Sequence, residues 1–256
     1  MSEFDASEGC GGKCADRLEF DLTMAFQPLI DIAARRIYGY EALVRGPNGE
    51  SAASVLAQVN DDNLYAFDQA CRVTAIRSAA ALGLDKRLNI NFLPNAVYHP
   101  EACLKVTLAA ARKYGFPAEL ITFEFSETQL ITDRNHLKAI IETYRDHGFM
   151  TALDDFGAGY AGLSLLADFQ PDIIKIDRAL VAGIDADKPR QAIVMGLMAT
   201  AETLGIRVVA EGVERAEELE TLRALGVSRY QGFLFARSAI GRLIPDDEIV
   251  WSVLSG

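Results

Sequence analysis

From about residue 86 onward, short apolar runs alternate with longer stretches whose apolar positions recur every three or four residues. The runs at 88–93, 121–125, 149–153, 173–176, 208–210 and 229–232 read as buried strands. The stretches at about 101–115, 134–147, 161–168, 188–204, 215–225 and 246–254 read as helices. Upstream, Met24 to Ile30 and Ile37 to Val44 are apolar and joined by a short Asp31-Ile-Ala-Ala-Arg-Arg36 turn, which predicts an antiparallel pair. Ser51 to Leu84 carries helical periodicity, broken at the polar Asn60-Asp-Asp-Asn63. Strands alternating with helices through short loops imply a parallel sheet. Eight strands over roughly 230 residues is the size of a closed barrel. The predicted fold is therefore α/β, a TIM-like (β/α)8 barrel with an antiparallel first strand. Residues 1–20 are predicted to be a flexible tail, and 21–256 the barrel.

Half of the 256 residues are hydrophobic, enough for one large core. The net charge of −11 argues against a partner that is polymeric nucleic acid, which calls for basic patches. A small anion held through metal ions stays open. No run reaches the roughly 18 apolar residues of a membrane span, and Met1-Ser-Glu-Phe-Asp5 lacks the basic start of a signal peptide. A soluble, cytoplasmic protein is the expectation. Cys71 and Cys103 fall in helical patterns and read as inert core thiols. Cys10 and Cys14, in Cys-Gly-Gly-Lys-Cys, are either a metal or redox element or an incidental part of the tail. One such pair cannot by itself complete a tetrahedral zinc site.

The chemistry sits where the strands end. In order, they finish on Glu41, Asn91, Glu124, Asp154 with Asp155, Lys175 with Asp177, Glu211 and Gln231. In a barrel these ends converge on one face, where active sites of the fold lie. Such a set of hard oxygen donors suits Mg2+ or Mn2+, not zinc or copper. His99, His136 and His147 fall outside it and receive no role. In Leu153-Asp-Asp-Phe-Gly-Ala-Gly-Tyr160, two adjacent carboxylates repel each other and lose hydration, which a cation would offset. The plainer reading is an acidic turn that caps the next helix. For Lys175 the plainer reading is an ion pair with Asp177.

Tyr40-Glu-Ala-Leu-Val-Arg45 resembles the signature of the EAL domain, whose members hydrolyse cyclic di-GMP in bacteria. The resemblance runs from about Met24 to Arg237 through Phe26-Gln-Pro28, Ile90-Asn-Phe92, Phe123-Glu-Phe-Ser-Glu127, Leu153 to Tyr160, Ile174-Lys-Ile-Asp177, Ala210-Glu-Gly-Val-Glu214 and Gln231-Gly232. It implies a cyclic di-GMP-specific phosphodiesterase that forms linear 5′-pGpG with water activated by two Mg2+ or Mn2+ ions. Glu41, Asn91, Glu124 and Asp154 match the residues that hold the first ion. Asp154 and Asp155 would bridge to a second, with Glu211 in support. Lys175 matches the residue that positions or deprotonates the attacking water, so Lys175, Glu211 and Glu41 are the catalytic candidates. Gln27, Leu43, Arg45, Asp177 and Gln231 match the substrate side, while Glu127 and Glu214 match loop-stabilising positions. Phe92, Tyr160 and Phe233 are candidates for stacking on guanine. The resemblance also implies a homodimer paired through a helix next to the Asp154–Tyr160 loop. Two other readings remain: a non-catalytic cyclic di-GMP receptor, and a different metal-dependent barrel hydrolase.

Overall fold

The computed structural model describes residues 18–97, 99–127, 133–159 and 162–251. Cys10, Cys14, Tyr160 and most of the expected tail lie outside the described residues.

Strands β1 (Thr23–Asp31) and β2 (Arg36–Arg45) form the expected antiparallel hairpin. After α1 (Ala52–Leu56) and α2 (Leu64–Ala81) come β3 (Arg87–Asn91), α3 (Pro100–Tyr114), β4 (Ile121–Ser126) and α4 (Arg134–Asp146). Then follow β5 (Met150–Phe156), α5 (Gly162–Asp168), β6 (Ile173–Ile176), a short α6 (Arg178–Val181), α7 (Lys188–Leu204), β7 (Arg207–Ala210), α8 (Ala216–Ala224) and β8 (Arg229–Tyr230). Strands β2 to β8 pair in parallel in chain order, and β1 closes the barrel by pairing antiparallel with both β8 and β2. A closed ring leaves no bare strand edge. A two-residue β9 (Ala239–Ile240), not anticipated from the sequence, adds to β1 at Ala25 and Phe26.

Helix limits follow their capping chemistry. Asp133 accepts from the Asn135 and His136 N–H groups to open α4, and Asp187 accepts from Arg190 to open α7. Each such cap contributes about 1 kcal/mol. Gly115 and Gly205, at φ 68° and 70°, close α3 and α7 in the left-handed region. The helix expected over 246–254 does not form across its described part. Only a single 3-10 turn, Asp246–Glu248, is present. There the Asp246 carboxylate accepts from Ile37 N–H at 2.6 Å and from Lys86 Nζ at 2.7 Å, and its carbonyl accepts from Trp251 Nε1 at 2.6 Å. These bonds tie the segment across the hairpin, so burial of Ile244 and Ile249 comes from docking and not from a helical face.

Two departures from regular pairing matter for the interior. Leu29 faces Gly39 but Ile30 faces Ile37, so Tyr38 is an extra residue in β2. A bulge of this kind re-aims a side chain. Tyr38 packs against Ala152, Ile173 and Val209, the apolar layer inside the barrel, with its hydroxyl buried. The second departure lies in β5, where Leu153 pairs with Ile174 but Phe156 with Ile176. The extra residue falls at the Asp154-Asp155 pair.

Candidate metal centre

Side chains two apart on a strand share a face. On β2 to β7 the inward face carries Glu41, Asn89 with Asn91, Glu124 with Thr122, Asp154, Lys175 and Glu211. Lys175 stands at their centre, fully buried. Its Nζ lies 2.7 Å from Glu211 Oε1, 2.9 Å from Glu124 Oε2, 3.2 Å from Glu41 Oε2 and 3.3 Å from Asp154 Oδ1. The alternative ion pair with Asp177 is not formed. Asp177 instead accepts from Ala179 N–H and caps α6, while its carboxylate lines the cavity above the acids.

The β5 bulge brings the second aspartate into the set. In regular alternation Asp155 would point away from Asp154. Instead Asp155 takes φ 54°, a left-handed backbone that costs on the order of 1 kcal/mol for a non-glycine residue. Its Oδ2 accepts from Ser126 Oγ at 2.6 Å, and its N–H donates to Asp154 Oδ1 at 2.9 Å. Two groups of carboxylates result, Glu41 with Glu124 and Asp154, and Asp154 with Asp155 and Glu211. Within each group the ligand atoms lie within 4.8 Å of one another.

Among the described residues five carboxyl groups gather around one ammonium, a formal excess of four negative charges were all of them ionised. Burial, with like charge from neighbouring acids, pushes Glu124 and Glu211 well above the usual carboxylate range, and Asp154 is raised for the same reasons. Burial acts against the Lys175 ammonium too, but the surrounding acids outweigh it and hold Lys175 protonated. Glu41 is the exception. Despite burial it is held low by Lys175 and by hydrogen bonds from Gln231 at 2.8 Å and Asn91 at 2.9 Å. An acid set this crowded and under-neutralised, built of hard oxygens without thiolate or imidazole, fits divalent cations such as Mg2+, Mn2+ or Ca2+.

Glu41, Asp154, Asp155 and Glu211 open into a cavity of about 510 Å3, lined also by Gln27, Asp177, Arg178, Glu214, Gln231 and Phe233. Gln231 Nε2 donates to Gln27 Oε1 at 3.2 Å, linking β8 to β1. Glu127 Oε2 accepts from Gly157 N–H at 2.8 Å, which ties the end of β4 to the turn after Asp155. Gly157, at φ 98°, packs so tightly on Leu180 that an added Cβ would lie 2.3 Å from it. Glu214 is held by Arg178 at 3.0 Å, and Arg178 also donates to the Gly212 carbonyl at 2.8 Å.

Not every expected residue joins this group. Arg45 turns to the Val44 carbonyl and the Ser238 hydroxyl and does not line the cavity. Leu43 lines a second, more apolar cavity of about 240 Å3 under α1 and α2, which Asn91 also lines. Phe92 is 1% exposed and packs edge-on against Phe123 and Phe125, so it is core and not a stacking surface. Phe233 is 48% exposed at the rim, with Arg237 over its ring at 3.9 Å. The sequence reading missed Asn89, Arg178 and Tyr38. For Asn89 the signal was present in the Asn-x-Asn spacing, which puts both amides on one face of β3. For Tyr38 it was absent, since no local pattern announces the bulge.

The family model described as EAL domain matches residues 16–238. The chain belongs to the EAL domain family. Over 89% of its length, and 96% of the other chain, it superposes on a standalone versatile EAL protein from Vibrio cholerae O395 in a c-di-GMP-bound form, at TM-score 0.86 and 52% identity. It also superposes on Klebsiella pneumoniae BlrP1 in a manganese/cy-diGMP complex, at TM-score 0.82 and 36% identity over 88% of this chain and 58% of that one. Among curated relatives it is 34% identical over 217 residues to the blue light- and temperature-regulated antirepressor BluF of Escherichia coli. It is 29% identical over 229 residues to the cyclic di-GMP phosphodiesterase NbdA of Pseudomonas aeruginosa. The matched residues make up 84% of this EAL domain chain in both cases, but 54% of BluF and 29% of NbdA.

Proposed function

We propose that this EAL domain hydrolyses cyclic di-GMP to linear 5′-pGpG with two divalent ions, Mg2+ or Mn2+, as cofactors. The observation that carries the reading is the complete acid set around Lys175, with both carboxylate groups assembled at one end of the barrel. Glu41, Asn91, Glu124 and Asp154 would hold the first ion, and Asp154, Asp155 and Glu211 the second. When bound, the ions neutralise the acids, polarise the phosphodiester and lower the pKa of a bound water. In the reaction the water oxygen forms a bond to phosphorus and the P–O3′ bond breaks, leaving a 5′-phosphate and a free 3′-hydroxyl.

The chain's own residues supply the rest. Lys175 at the cavity floor would position the attacking water, offset charge there, or take the water's proton once the ions have neutralised the acids around it. Gln231 and Gln27 hold Glu41 in place from β8 and β1. Asp177 and Glu214 line the cavity with acceptors that suit the N1–H and N2–H2 edge of guanine, and half-exposed Phe233 offers a stacking face. Glu127 fixes the turn that carries Asp155.

The Vibrio and BlrP1 complexes support cyclic di-GMP as the ligand, the manganese of the BlrP1 complex supports a divalent ion, and NbdA supports hydrolysis. BluF, named an antirepressor, favours the second reading of a receptor that binds and signals by contact. A homodimer through α5 is part of the same proposal, supported by Leu163, which is 70% exposed. So is a cytoplasmic location; no helix among the described residues is long and apolar enough to cross a membrane.

The test incubates the purified chain with cyclic di-GMP and Mg2+, with and without EDTA, and separates the nucleotides by chromatography. The expected outcome is a pGpG peak that disappears with EDTA. Binding by calorimetry with no product would replace hydrolysis with the receptor reading.

A further inference from the structure

Strand β3 carries two asparagines on its inward face, and each serves the glutamate of a different neighbouring strand. Asn91 Nδ2 donates to Glu41 Oε1 of β2 at 2.9 Å. Asn89 Nδ2 donates to Glu124 Oε1 of β4 at 2.6 Å. The two contacts differ in setting. Asn91 is exposed at the strand end, whereas Asn89 is 1% exposed and Glu124 fully buried.

Glu124 has two oxygens, and both are engaged. Oε2 receives Lys175 Nζ at 2.9 Å, and Oε1 receives the Asn89 amide. The carboxylate plane is therefore fixed from two sides, by a cation on one oxygen and a neutral donor on the other. The amide retains its place at a cost, because Asn89 Oδ1 has no protein partner among the described residues. An apolar side chain of similar size would leave no such orphan, and a buried acceptor without a partner is unfavourable by about 1–3 kcal/mol. The arrangement makes sense if the donor half of the amide is what the site uses.

We propose that Asn89 is a positioning residue for the divalent cation bound by Glu41, Glu124 and Asp154. It does not reach the ion; it sets the orientation of Glu124, as outer hydrogen-bond partners do for ligating side chains. The proposal rests on the metal reading above and adds a residue to it. A neutral donor is the suitable choice here. A second cation would compete with the ion, and a carboxylate would add to the excess negative charge.

The test measures Mn2+ binding to the metal-free protein by calorimetry, for the wild type, Asn89→Leu and Glu124→Gln, with a thermal melt of each and kcat and KM where turnover is present. Asn89→Ser, too short to reach Oε1, is the second variant should leucine fail to fold. The expected result is a loss of roughly 10–100-fold in Mn2+ affinity for the Asn89 variants. The melting temperature of the metal-free protein should stay close to wild type, and the lost rate should return as Mn2+ is raised. Wild-type Mn2+ affinity in an Asn89 variant, beside a clear loss in Glu124→Gln, would overturn the positioning role and leave the metal site standing. No Mn2+ binding by the wild type would overturn the metal reading itself, and the role of Asn89 with it.

Discussion

Lys175→Met is expected to lower turnover of cyclic di-GMP by about 10²–10³-fold, the scale for removing one pre-organised charge-stabilising group. The same change should make the fold depend on divalent cations. Among the described residues Lys175 is the single cation paired with Glu41, Glu124, Asp154 and Glu211, which it touches at 2.7–3.3 Å. Methionine fills much the same volume without the charge, so the acids face one another unopposed. Breaking a buried pair from one side costs about 3–5 kcal/mol, or very roughly 10 °C in melting temperature for a chain of this size. Added Mn2+ or Mg2+ would offset that loss by mass action, by about 2.7 kcal/mol at a hundred times its dissociation constant. Melting curves of wild type and variant, with EDTA and with millimolar Mn2+, read both effects together. A variant that hydrolyses within a few-fold of wild type would take Lys175 out of the chemistry. If it also melts with the wild type in EDTA, the acids must be neutralised by other means.

The acids were legible in the sequence because they break a strong pattern. The strands are mostly apolar up to their C-terminal ends, and a Glu, Asn or Asp there stands out; closure of the barrel then decides that Glu41, Glu124, Asp154 and Glu211 meet. What could not be read was how the backbone aims them. Asp155 joins the group only because β5 carries an extra residue at a left-handed φ, a feature written across the β5–β6 pairing and not in any window of β5. Tyr38 entered the barrel interior by the same device in β2. The C-terminal segment failed for a related reason. Its apolar spacing passes for a helix, yet Asp246 is bonded to Ile37 and Lys86, far away in sequence, and those bonds hold it as a strap. Arg45 shows the limit for charged side chains. It is the last residue of β2, one past the apolar run read from the sequence, and its guanidinium donates to Ser238 and does not line the cavity.

Behind the site lies a buried ion pair whose disruption should give the largest loss of stability away from the metal centre. Arg72 of α2 is fully buried, and its Nη2 lies 2.7 Å from Asp68 Oδ2. Its Nη1 donates to Tyr144 Oη at 2.8 Å, and its guanidinium carbon sits 5.1–5.8 Å from the ring centres of Phe92, Phe123 and Tyr144. Asp68 Oδ1 accepts from Leu93 N–H at 3.0 Å, which anchors the chain just past Asn91. The site is dry and aromatic, so burial raises the Asp68 carboxyl, and its proximity to Arg72 only partly opposes this. Arg72→Met would leave that acid without its cation, and a loss of about 3–5 kcal/mol is expected, or roughly 6–20 °C in melting temperature. Removing both charges, in Asp68→Leu with Arg72→Met, should recover most of the loss, because an apolar pair of similar volume carries no desolvation penalty. It would still forfeit the Leu93 bond, about 1 kcal/mol. Urea unfolding of the two single variants and the double closes the cycle, and a coupling well above 1 kcal/mol is the expected reading. Single variants whose losses simply add would show that Asp68 is already protonated in the folded chain, and that Arg72 is held by its aromatic neighbours alone.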